Sequence, residues 1–131
     1  MNINRATAEN LAEKHPCTYF LYRLNEELEF KDLEKKATES LAEKNPYYYF
    51  NNKFHENSEY IDITRRAAER LAEDDPYYYL DCKFYKNPKF EDLSLEAAKR
   101  LSKYDLEYFF KLGLHKIPEF KSIETEALKN M

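Results

Sequence analysis

The chain has 131 residues, a formal net charge of −4, 43% hydrophobic and 16% aromatic residues, with twelve Tyr and nine Phe but one Gly and no Trp. So much large apolar surface suits a packed protein rather than a disordered one, and the modest negative charge weighs against non-specific binding to nucleic acid or an anionic membrane. No apolar run approaches the roughly 18 residues of a spanning helix, so no membrane role is expected, and the polar start MNINRATAEN carries no signal-peptide core.

The stretch Leu41–Phe54, LAEKNPYYYFNNKF, recurs thirty residues later as LAEDDPYYYLDCKF, with looser copies from Leu11 and Leu101. The chain therefore divides into four tandem units, 7–36, 37–66, 67–96 and 97–126, followed by a half unit 127–131 whose helix begins near 123. The second and third units agree at 13 of 30 positions, which chance does not produce. A fixed period of this size is the signature of a repeat array within a single domain. Val is absent and Gly nearly so, which removes the usual materials of strands and tight hairpins. The expected class is all-α: about nine short helices, near 3–14, 16–26, 33–44, 46–56, 63–74, 76–86, 93–104, 106–116 and 123–131.

The first helix of each unit shows one apolar face. In the second unit it is Leu33, Ala37, Leu41 and Ala42, echoed by Ile63, Ala67, Leu71 and Ala72. Asp32, Asp62, Asp92 and Ser122 precede this face and are expected to cap the helix start, with Asn2 in the equivalent place in front of Ile3. The opposite face carries Lys35, Lys36, Glu39 and Glu43, then Arg65, Arg66, Glu69 and Arg70, a solvated charged stripe. Between the paired helices, Asn45-Pro46 and Asp75-Pro76 set a capping residue before a proline suited to a first helical turn. His15-Pro16 keeps this pattern, and Asp105-Leu106 keeps the cap alone. A second helix of about eleven residues is expected next, with Tyr49, Phe54, Tyr79 and Phe84 on its buried side. The return loop ends in a recurring aromatic, Phe30, Tyr60, Phe90 and Phe120, expected to plug the junction between units.

In period and helix pairing the whole chain resembles the helical-hairpin solenoids, the class that includes HEAT, armadillo and tetratricopeptide arrays. The resemblance implies an α-solenoid of stacked helix-turn-helix repeats.

Candidate functional residues lie on another side of the second helices: Tyr48, Asn52 and His55; Tyr78, Cys82 and Tyr85; Tyr108 and His115. Beside the tyrosine that recurs at 48, 78 and 108, these positions vary between units while the apolar set is kept, as expected of a surface that reads a ligand; partial burial between neighbouring second helices is the alternative. A basic ladder, Arg23, Lys53 and Lys83, is interrupted by Gly113. It would serve as a phosphate-tracking stripe, or, more simply, as cations favoured at helix C-termini by the helix dipole. No histidine or cysteine spacing suggests a metal, and no phosphate loop, nucleophile elbow or Cys–His set appears. No cofactor is expected, and Cys17 and Cys82 are expected as reduced thiols in a cytoplasmic protein. The function these patterns favour is a non-catalytic scaffold binding a protein or peptide partner along its second helices, with nucleic acid as the alternative partner.

Overall fold

The computed structural model describes residues 3–129, and all described secondary structure is helical. Nine α-helices lie among these residues: α1 Arg5–Lys14, α2 Pro16–Leu21, α3 Glu34–Lys44, α4 Pro46–Asn51, α5 Ile61–Asp74, α6 Pro76–Asp81, α7 Glu91–Tyr104, α8 Leu106–Lys111 and α9 Lys121–Lys129. The expected cap Asn2 and the last two residues of the closing half unit lie outside the described residues. The chain divides at Ala67/Ala68, within α5, into two compact units.

The break before each second helix forms as its residues dictate. Residues 45, 75 and 105 leave helical geometry at φ near −150°, and Asn45, Asp75 and Asp105 each accept the backbone N–H three residues on, at 3.1 Å. Proline supplies the first helical residue of α2, α4 and α6, where its missing N–H has no partner to lose. His15 occupies the same place but makes no side-chain cap.

The second helices are six residues long, not eleven. Each is stopped by one left-handed residue: Arg23 at φ 56°, Lys53 at 62°, Lys83 at 63° and Gly113 at 74°. A residue in this conformation just past a helix turns the chain and lets its N–H close the last turn; here Arg23, Lys53, Lys83 and Gly113 donate to the carbonyls of Phe20, Phe50, Leu80 and Phe110. The basic ladder is therefore a row of helix terminators, and the single glycine of the chain stands where glycine is least strained. Two short 3-10 turns then carry the chain onward, Leu24–Glu26 and Lys31–Leu33 in the first repeat, with counterparts after α4, α6 and α8.

The helix starts also differ from expectation. Asp62, Asp92 and Ser122 lie inside the first turns of α5, α7 and α9, because the preceding 3-10 turns lead directly into those helices. Asn57 and Asn87 cap the turns before α5 and α7 instead, accepting from Glu59 and Lys89 N–H at 3.0 Å, while Ile117 before the last turn makes no side-chain cap. Asp32 is used differently again: both its oxygens take the Arg5 guanidinium, whose Nη1 lies 2.9 Å from Oδ1.

In the first unit α1 packs on α2 and α3, and α3 on α4. Its core includes Ala8, Ala12, Tyr19, Leu24, Phe30, Leu33 and Ala37. Alanines at 8, 12 and 37 let helix backbones approach closely, while fully buried Tyr19 reaches across to donate to Phe30 O at 2.9 Å. In the second unit α7 contacts α6, α8 and α9 around Tyr79, Leu80, Leu101, Phe109, Leu114, Phe120 and Ile123. Of the recurring loop aromatics, Phe30, Phe90 and Phe120 are buried and Tyr60 is half-buried. Burying each such ring contributes roughly 1.5–3 kcal/mol.

Candidate functional site

One ring position recurs at the centre of each helix pair: Tyr19, Tyr49, Tyr79 and Phe109, all fully buried. The hydroxyls find partners within the fold. Tyr49 pairs with Thr64 Oγ1 at 2.6 Å, and Tyr79 with Ser94 Oγ at 2.9 Å. Burial, with the nearby Glu34 carboxylate, pushes the Tyr19 phenol up to about 12. Burial likewise raises Tyr49, against the opposing hydrogen bond to Thr64. Burial of Tyr49 and Tyr79 agrees with their helical spacing, and Tyr19 takes the same place in the first repeat.

The eight candidate residues fall into two places. Tyr48, Tyr78 and Tyr108 sit on α4, α6 and α8 and are half-buried; Asn52 and Cys82 are exposed at the ends of α4 and α6. Asn52 turns its amide back to donate to Tyr48 O at 3.0 Å. The Cys82 thiol is pushed up, chiefly by burial of the group itself. His55, Tyr85 and His115 lie beyond the left-handed residue, on the following 3-10 turn, so no continuous helix face joins them to the tyrosines. The His55 ring lies 5.1 Å from Phe50, and burial lowers its pKa, with Lys53 adding to this and Glu56 opposing it. His115 lies 4.9 Å from Phe110, and Tyr85 6.0 Å from Phe120.

Three features escaped the sequence pattern. Tyr77, 38% exposed, is more open than Tyr78, and its hydroxyl donates to Asp105 Oδ2 at 3.3 Å while its ring lies 5.1 Å from Tyr108. Asp105 was legible only as a cap. Leu28 of the first repeat is 92% exposed, where the later repeats carry Ser58, Pro88 and Pro118. The third is a cavity of about 510 Å³ lined by His115, Lys116, Ile117, Pro118, Lys121 and Glu124. His115 Nδ1 is buried there without a hydrogen bond; Glu124 Oε2 has an ion pair to Lys121 Nζ at 3.4 Å but no hydrogen bond.

Arg23, Lys53 and Lys83 are exposed. Their placement is explained by helix termination and by the favourable field at a helix C-terminus. Cys17 and Cys82 are free thiols, with Cys17 Sγ 3.7 Å from Asn45 Nδ2. Among the described residues no group of three or more His, Cys, Asp or Glu is placed to hold a metal ion, and no helix is long and apolar enough to cross a membrane. Comparison with protein-family models, curated proteins and solved structures finds no match to this chain.

Proposed function

We propose that the chain is a non-catalytic helical-repeat scaffold, an α-solenoid of four helix-turn-helix units, that binds a protein or peptide partner along its second helices in the cytoplasm. The observation that carries this reading is a division of labour within the thirty-residue period. Positions that stay constant between units, such as Tyr19, Tyr49, Tyr79 and the aromatic Phe109, are sealed in the core. The positions that vary on the second-helix side, among them Asn52, His55 and Cys82, remain at the surface with half-buried tyrosines beside them. Tyrosine offers large contact area with little conformational entropy to lose on binding. Free Cys17 and Cys82 suit a reducing compartment.

The test is a panel of random peptides displayed on phage and panned against the full chain. Recovered binders are expected to lose affinity for Asn52→Ala/His55→Ala and Tyr78→Ala/Tyr85→Ala proteins that still melt cooperatively. Binders indifferent to both pairs would refute the second-helix placement. Replacing the panel by single-stranded oligonucleotides tests the nucleic-acid alternative: salt-sensitive binding lost on Arg23→Ala/Lys53→Ala/Lys83→Ala would favour it.

A further inference from the structure

The junction at the start of each second helix is built with different chemistry in the two units. In the first unit it is Cys17 against Asn45, with Nδ2 to Sγ at 3.7 Å. In the second unit the same repeat positions hold Tyr77 and Asp105, with the hydroxyl 3.3 Å from Oδ2. Asn45 caps α4 at the same 3.1 Å with which Asp105 caps α8, so the cap requires no negative charge. The small Cys17 likewise closes its junction without a ring.

The exchange therefore adds two properties that the fold does not need, an aromatic surface and a carboxylate. The Tyr77 and Tyr108 rings meet at 56° with centroids 5.1 Å apart, so neither covers the other's face as a parallel stack would. Tyr77 is 38% exposed and Tyr108 half-buried. Each oxygen of Asp105 accepts one hydrogen bond, from Tyr108 N–H and from the Tyr77 hydroxyl, and a carboxylate oxygen can accept a second. Burial raises the Tyr77 phenol first, and the carboxylates of Asp105 and Asp75 add to it, so two acids lie close to this ring.

The surrounding charge differs in the same sense. Around α6 the second unit carries Asp74, Asp75 and Asp81, where the corresponding positions around α2 hold Lys14, His15 and Leu21; α8 adds exposed Glu107 near its start and exposed Lys111 at its far end. We propose that Tyr77, Tyr108 and Asp105 form a receptor for one arginine side chain of a peptide or protein partner. The proposal rests on the second-helix binding reading and names the chemistry of its ligand. A guanidinium stacks on aromatic faces and donates through a planar fork to a carboxylate, whereas a lysine ammonium offers only a point charge.

The test is an NMR titration of the full chain with a blocked glycine–arginine–glycine tripeptide, set beside its citrulline and lysine counterparts. Saturable shifts of the Tyr77 and Tyr108 ring signals are expected with arginine, weaker with lysine and absent with neutral citrulline. Tyr77→Leu keeps bulk at the junction, and Asp105→Asn keeps the cap in the way Asn45 does. Each is expected to weaken arginine binding about tenfold with helical content unchanged. No saturable shift, an equal response to citrulline, or parent-like binding by either folded variant would overturn the receptor. That failure leaves the second-helix reading standing if displayed peptides still depend on either the Asn52/His55 or the Tyr78/Tyr85 pair; if they depend on neither, that broader reading fails independently of the arginine result.

Discussion

The buried Tyr49–Thr64 pair offers the sharpest test of how this fold is held together. Tyr49 is fully buried, Thr64 is 8% exposed, and their oxygens lie 2.6 Å apart. The two hydroxyls are not equally dependent on each other. When Tyr49→Phe removes the phenol, the Thr64 hydroxyl, on a helix, can turn to the carbonyl four residues earlier, as Thr38 already does toward Glu34 O at 2.8 Å. The Phe ring itself fits, since Phe109 fills the same repeat position fully buried. The expected cost is therefore about 1 kcal/mol, that of one exchanged hydrogen bond. Thr64→Val preserves shape but strands the phenol, whose position is fixed by its packed ring, and an unsatisfied buried hydroxyl costs about 2 kcal/mol. The double variant leaves no stranded group and should cost about 1 kcal/mol rather than the summed 3, a coupling near 2 kcal/mol. In urea, with a slope of about 1–3 kcal/mol per molar, the Thr64→Val midpoint should fall by about 1 M and the Tyr49→Phe midpoint by about half that. Equal effects of the two single changes, or strict additivity in the double variant, would refute the argument.

Gly113→Lys should cost about 1 kcal/mol, the strain of a left-handed L-residue, because a Cβ there meets nothing within 4 Å and Lys53 and Lys83 already adopt the conformation; Gly113→Val, β-branched, should cost more in the same thermal melts. Asp32 has its pKa lowered, first by its hydrogen bonds to Arg5, so its contribution is present above the unfolded carboxylate range and lost as pH falls through the folded value. Asp32→Asn should therefore flatten the acid limb of the stability profile between pH 5 and 2 (roughly, from the usual carboxylate range). Tyr19, raised to about 12, contributes stability that is fully present below the ordinary phenol pKa and lost as pH rises through the folded value. The alkaline absorbance of folded Tyr19→Phe should show one fewer late-titrating phenol than the parent, since buried Tyr49 is raised as well.

Much of the local structure was legible in the sequence because it is set by neighbouring residues. Prolines at 16, 46 and 76 open helices by geometry alone, and Asn45, Asp75 and Asp105 cap within three residues. The Ala and Leu face of the first helices and the buried Tyr49 and Tyr79 follow from helical periodicity, which encodes burial directly. The end of the second helix is legible too once Gly113 is used as the key to its repeat position: a glycine at a site otherwise held by Arg23, Lys53 and Lys83 marks a left-handed residue. Taken as a gap in a basic stripe, the same glycine conceals the stop, and the expected helices run past it.

Other features were decided only by tertiary structure, since they depend on residues about 27 or 28 apart coming together. Asp32 suits a helix cap by sequence, yet Arg5 of the preceding helix lies within reach and claims both its oxygens. Tyr77 and Tyr78 are the same residue type in one triplet, and only the arrival of α8 sets Asp105 and Tyr108 beside the first of them. Sequence periodicity fixes which face of a helix is apolar because the core is the common destination of every repeat. Which polar partner meets which side chain depends instead on the registration of one helix pair against the next, and that registration is a property of the packed chain.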